Sequence, residues 1–183
     1  MEALIDIVDK NGRPTGIAVP KTEIHNKGHL HNTAHVWFYD AYGNILLQQR
    51  AASKTICPLL WDVSVAGHID AGETPEQAAV REAKEEIGVD VSEEKLNKIG
   101  VFECFQSYPN GIIDNEFHHT FIAKIKMNSN DFILQREEVE AVKLVTIDEF
   151  VNLLNNSKHN SHFVDSNAAY YLIVLNAIKN VTQ

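Results

Sequence analysis

Positive charge is scarce in this chain. Its 183 residues carry 16 Lys and Arg against 25 Asp and Glu, a formal net charge of -9. The few basic residues are scattered, so no basic face is offered to a nucleic acid polymer or an anionic membrane. A small anionic substrate is not excluded, because a bound metal ion can reverse the local field. Cysteine is nearly absent. Cys57 and Cys104 stand far apart, without metal-ligand spacing, and read as two reduced thiols. Together with the lack of a basic-then-apolar leader in MEALIDIVDKNGR, this points to the cytoplasm. No apolar run is long enough for a helix that spans a bilayer. Internal repeats, low-complexity tracts and a dividing linker are also missing, so residues 1–183 read as one domain. Hydrophobic residues at 44% and charged residues at 22% are ordinary for a globular core of that size.

What is present is a run of short alternating segments. LIDIV, the turn KNGR and TGIAV predict an N-terminal hairpin over about 4–20. Residues 21–34 are polar and rich in histidine. HVWFYD and ILLQQR flank AYGN as a second hairpin, and WDVSVAG reads as one further strand. IGVFECFQ and FHHTFIAKIK read as strands around a loop with Pro109, Asn110 and Gly111. VKLVTI is the last strand. Asp148 is expected to cap a short helix, EFVNLLNN, and a closing helix is expected over about 166–180. Strands mixed with a few helices predict an α/β or α+β sandwich of layers.

The strongest local signal is GETPEQAAVREAKEEIG, residues 72–88. Thr74 and Gln77 form a capping box, Pro75 suits the first helical position, and Gly88 suits the C-terminal end. At 100° per residue, Glu82, Glu85 and Glu86 share roughly a third of the helix circumference. Ala79, Val80, Ala83 and Ile87 form another arc that can pack on a sheet, and Ala78 leaves room beside the acids. Like charges so spaced repel, and Arg81 cannot neutralise three of them. Such a ridge either raises a carboxyl pKa or demands a cation, and hard oxygen ligands suit Mg²⁺ or Mn²⁺. A solvated acidic helix face is the simpler alternative.

The wider spacing favours the cation. Gly67, Glu73, Arg81, Glu82, Glu85, Glu86, Gly88 and Val89 read G-x5-E-x7-R-E-x2-E-E-x-G-V. The seven before Val89, at roughly 7% each, match a given register by chance on the order of 10⁻⁸. The pattern resembles the signature box, here 67–89, of the Nudix hydrolases. Ala83 stands where that family usually has a bulky aliphatic residue. The resemblance implies a Nudix-like α/β/α sandwich with a mixed β-sheet and a loop-helix-loop motif. It implies a metal-dependent hydrolase cleaving a diphosphate bond in a nucleoside diphosphate derivative or related organic diphosphate. It also implies Glu82, Glu85 and Glu86 as metal ligands, the Gly67 carbonyl as an added ligand, and Arg81 as the residue that orients the acids, pairing with Glu73 as well as Glu85. Glu73, Gly72 and Gly88 shape the motif.

Outside the box, EIHNKGHLHNTAHVWFYDAYGNILLQQRA resembles type I isopentenyl-diphosphate isomerases, and the looser resemblance runs from about residue 4 to 150. Those enzymes need a cysteine before a Gly-His pair. Here Ala66 precedes Gly67-His68, and a methyl group transfers no proton. The isomerase metal site draws on histidines and two late acids. His31, His68, Asp114 and Glu116 match it, and His25 matches only across a one-residue gap. Glu116 is therefore a candidate extra acid, with Glu138 as its rival. Arg50 and Lys54 are the plausible substrate-side cations, with His68 beside them. Trp37 and Trp61 read as core or pocket wall, and Tyr170 and Tyr171 as packing on the last helix. The expected partner is a small-molecule diphosphate. The oligomeric state stays open, with a homodimer among the alternatives, and a binding module without turnover is the reading an intact box opposes.

Overall fold

The computed structural model describes residues 2–126, 131–155 and 168–182. Strands β1 (Leu4–Val8) and β2 (Pro14–Pro20) form the N-terminal antiparallel hairpin. It is stitched to the body by Ala71 N–H donating to the Leu4 carbonyl (2.8 Å) and Val8 N–H to that of Leu30 (2.8 Å). A helix the sequence did not announce, α1 (Lys21–Lys27), follows at once. It has no side-chain N-cap and buries one residue, Ile24, so it leaves no periodic pattern to read.

The main sheet has seven strands: β3 (His31–Tyr39), β4 (Ile45–Arg50), β5 (Trp61–Asp62), β6 (Val65–His68), β7 (Asn97–Ser107), β8 (Ile113–Lys124) and β9 (Val139–Val145). It is mixed, since β3 and β8 are parallel and the other pairs antiparallel. The strand expected over WDVSVAG is two strands, β5 and β6, that serve different neighbours. β5 pairs with β4, whereas β6 pairs with β3.

That division splits the sheet. β3 meets β4 only at Tyr39 and Ile45, and it meets β6 along Thr33–Val36. Where β3 and β4 part, backbone groups lose their ladder partners. Ser64, fully buried, replaces them: its hydroxyl accepts from Phe38 N–H (2.9 Å) and donates to the Leu46 carbonyl (2.6 Å).

Helix α2 (Pro75–Ile87) covers one face of the sheet over Ala34, Val36, Phe38, Val65 and Phe121. Its capping box is formed as the sequence predicts, and Gly88 closes it with φ 74°. Ala79, Ala83 and Ile87 are buried as expected. Ala78 is also fully buried, and Val80 is only half-buried. Helices α3 (Ile147–Asn155) and α4 (Ala168–Thr182) close the other face over Trp37, Tyr39, Ile45, Leu47 and Ile122. The cap of α3 is a correction. Thr146 accepts from Glu149 N–H (3.2 Å) and Glu149 reaches back to Thr146 N–H (2.7 Å), so Thr146, not Asp148, starts the helix. The start expected for α4 at 166 lies outside the described residues. The whole is an α/β/α sandwich, and no described helix is long and apolar enough to cross a membrane.

Candidate active site

A cavity of about 460 Å³ opens at the split. The period of two along each strand decides what faces it. Odd residues of β3 and even residues of β6 and β8 face α4, which gathers His31, Thr33 and His35 with His68, Glu116 and His118. Gly67 faces α2 instead. A Cβ built there would sit 2.1 Å from Glu82 Cδ, so glycine is the residue that admits the carboxylate.

On the α2 side, Arg81 holds the acids in place. Its Nε and Nη2 donate to both oxygens of Glu73 (3.0 and 2.8 Å), Nη2 also to the His68 carbonyl (3.0 Å), and Nη1 to Glu82 (2.8 Å) and Glu85 (3.3 Å). The Glu73 contact, two-pronged and charge-assisted, is the largest cause that raises the guanidinium further above its ordinary value. Gly72 turns the loop before it at φ 83°, with its N–H on Asp6 (3.2 Å). Glu85 is 53% exposed at its side chain and Glu82 only 14%. Glu86 is 5% exposed and bridges the split, accepting from Gln48 Nε2 on β4 (3.3 Å) and Ala66 N–H on β6 (3.4 Å). Burial, then the charges of Glu82 and Glu138, push its carboxyl up to about 8. Burial also raises Glu82, and Arg81 opposes it.

Glu138 and Glu116, rivals in the sequence, lie in different places. Glu138 pairs with Lys54 and adds its charge to the field at Glu86. Glu116 belongs to the histidines. Arg50 and Lys54 both line the cavity, and both are already matched: Arg50 Nη1 lies 3.5 Å from Asp62, and Nε donates to the Ile56 carbonyl (3.0 Å). Lys21, on the unannounced helix, lines the same cavity, and its charge helps depress His68 after burial.

The histidine cluster is the part the sequence showed least clearly. His25, on α1, reaches it in spite of the one-residue gap: Nε2 lies 3.0 Å from His68 Nε2, and Nδ1 lies 3.0 Å from Asp114 Oδ1 without the alignment of a hydrogen bond. His31 is wholly buried. Its Nδ1 faces the His29 carbonyl at 2.9 Å, and a carbonyl only accepts, so Nδ1 carries a proton. Nε2 then points at Glu116 Oε1, 3.4 Å away, and makes no hydrogen bond. A cation bound by both groups would match that geometry. Burial holds His68 well below the usual imidazole range, so its ring is neutral near pH 7. One atom each from His25, His31, His68 and Glu116 falls within 4.8 Å of the others. Separations near 3 Å suit neighbouring ligands about 2.1 Å from one ion. The donor set therefore fits a divalent metal, and nitrogen-rich sites favour the transition metals.

A second triplet, His35, Glu116 and His118, is equally close-set. Here the imidazoles stack face to face, 4.0 Å apart and 25° from parallel. Burial alone would lower His118, but hydrogen bonds to Cys104 and Glu116 outweigh it and push it up to about 9. Tyr170 does more than pack: its oxygen accepts from Trp37 Nε1 (2.8 Å) and lies 3.0 Å from His35 Nδ1.

Known proteins resemble this chain in sequence and in fold. Nudix hydrolase 3 of Arabidopsis thaliana is 39% identical over 92% of the chain, which spans only 22% of that protein's length. An uncharacterised Nudix hydrolase of Clostridium acetobutylicum is 38% identical over 85% of the chain and 75% of its own. Isopentenyl-diphosphate Delta-isomerase 2 of Photorhabdus laumondii is 36% identical over 86% of the chain and 85% of its own. A crystal structure from Deinococcus radiodurans shares the fold, with a TM-score of 0.68 at 17% identity over 98% of this chain and 99% of that one. The NUDIX domain model matches residues 29–166, from the strand that carries His31 past the helix that carries the acids, and the chain belongs to the Nudix family.

Proposed function

We propose that the protein is a metal-dependent hydrolase of an organic diphosphate. The observation that carries this reading is the Glu82–Glu85–Glu86 ridge, opening with Arg50 and Lys54 into one cavity. A divalent cation, Mg²⁺ or Mn²⁺, would supply neutralisation of the diphosphate oxygens and a water of lowered pKa. Glu82, Glu85 and Glu86, with the Gly67 carbonyl, are the groups proposed to hold it. Arg81 is a positioning residue that fixes two of them. Glu86 keeps a proton near neutral pH and gives it up as positive charge gathers beside it. Arg50 and Lys54 would exchange Asp62 and Glu138 for phosphate oxygens, with His68 at the same wall. Glu116 with His25, His31 and His68 would hold a further divalent ion. Release of phosphate or a monophosphate from a panel of diphosphates with Mg²⁺ or Mn²⁺, lost in Glu85→Gln, is the expected result. No release from any member would overturn the proposal.

Isopentenyl-diphosphate isomerisation is the second reading, favoured by the histidine–Glu116 set and by similarity to the Photorhabdus laumondii isomerase. The methyl of Ala66 opposes it. Deuterium exchange into isopentenyl diphosphate without phosphate release would support it.

A further inference from the structure

The cavity does not end at the carboxylates and the metal-binding histidines. Beyond them its wall carries His35, Asp62, Cys104, His118 and Tyr170. None of these is needed to hold a cation on α2. His35 lies deep in the fold yet opens to the cavity. Its Nδ1 is fixed by Tyr170, which Trp37 fixes in turn, and its Nε2 has no hydrogen-bond partner among the described residues. The stack on His118 locks the ring plane, and His118 is anchored to Glu116 at 2.9 Å. Asp62 is held by Val63 N–H (2.7 Å) and faces Arg50 at 3.5 Å.

A hydrocarbon chain seated here would strip water from a carboxylate, an imidazole nitrogen and a thiol and return nothing to them. A group bearing hydroxyls or amines would satisfy them. Sites built from oriented buried polar groups reject apolar analogues strongly, whereas apolar pockets discriminate weakly. We propose that His35, with Asp62 and the Cys104–His118 pair, forms a recognition subsite for a polar, hydroxyl- or amine-bearing group on the diphosphate, and that this subsite turns away prenyl chains. The proposal rests on the diphosphate reading of the cavity and names the class of group attached.

The test is binding, so it does not depend on turnover. Ribosyl and isopentenyl esters of methylenebisphosphonate have organic groups of equal carbon count and resist hydrolysis. Titrated calorimetrically in Mg²⁺, the ribosyl ester is expected to bind at least tenfold tighter. His35→Phe keeps the ring stack and removes both nitrogens. It is expected to weaken the ribosyl ester at least fivefold and leave the isopentenyl ester within twofold. Asp62→Asn, which keeps the shape and removes the charge, is a second variant expected to narrow the preference, should the first fail to fold. Equal affinities, a tighter isopentenyl ester, or a preference unchanged in the variants would overturn the subsite. Phosphate release from the parent diphosphates is scored separately. A ribosyl preference without turnover sustains the subsite and sinks the hydrolase reading, and turnover without preference does the reverse.

Discussion

Glu86→Gln separates the electrostatic cost of the acidic ridge from its use. In the metal-free protein the Glu86 carboxyl is held protonated to about pH 8, because it is buried and faces Glu82 and Glu138. The ordinary value is 4.5. Between those two values the folded protein binds more protons than the unfolded chain, so stability falls as pH rises through that window. It is whole below about pH 4.5 and lost above about pH 8. At about 1.4 kcal/mol per pH unit the full loss is about 5 kcal/mol, of which about 3 kcal/mol is already lost at pH 7. Glutamine keeps an acceptor for Gln48 and Ala66 and cannot ionise. In EDTA at pH 7 the variant is therefore expected to melt higher than the native protein, by about 6–12 °C for a chain of this size. Its melting temperature should fall less steeply than that of the native protein from pH 5.5 to 8.5, since only the Glu86 contribution is removed and that of His118 remains. Added Mg²⁺ or Mn²⁺ should raise the native protein more than the variant, and the variant should be inactive. The reasoning is refuted if the two pH profiles run parallel, or if glutamine destabilises the apo-protein at pH 8.5.

Three further outcomes follow from single contacts. Gly67→Ala pushes a methyl into Glu82 and should cost about 1–3 kcal/mol in urea melts, with the cost much reduced in a Glu82→Ala background; additive costs would contradict the contact. Arg81→Lys loses the two-pronged grip on Glu73 and the bond to the His68 carbonyl. It should lower kcat by about 100-fold, the order of one mispositioned active-site group, and activity near native would refute the positioning role. Ser64→Ala leaves Phe38 N–H and the Leu46 carbonyl buried without partners. Its expected cost is about 1–3 kcal/mol per group, and a loss below about 0.5 kcal/mol would show that the split is held otherwise.

Much of the site was legible because its signals are local. The capping box, Pro75 and Gly88 fix α2 within a dozen residues, and the acid spacing follows from the helix pitch. The contacts of Arg81 are short in sequence too. What the sequence hid is what the sheet brings together. Helical periodicity placed Glu86 on the same arc as Glu82 and Glu85. Its burial comes from Gln48 and Ala66, on strands that the split holds apart. His25 looked out of register because a gap counts residues, whereas a short helix with one buried side chain sets where the ring falls. Tyr170 read as packing because nothing local says that its hydroxyl meets His35 and Trp37.

The split also explains how one cavity reaches two side-chain clusters on opposite faces of a sheet. In an unbroken sheet the α2 carboxylates and the imidazoles facing α4 would be separated by the backbone layer. Here β4 turns away from β3 after Ile45, and the opening is spanned by side chains: the Ser64 hydroxyl at its apex and the Glu86 carboxyl farther out. β6 forms one lip of the opening, and its alternation does the rest. Gly67 admits Glu82 on one face, while its neighbour His68 joins His25 and His31 on the other. A one-residue slip of β6 against β3 would turn His68 toward α2 and set Gly67 among the imidazoles, so both clusters would come apart together. Both clusters therefore depend on the register of Thr33 with His68.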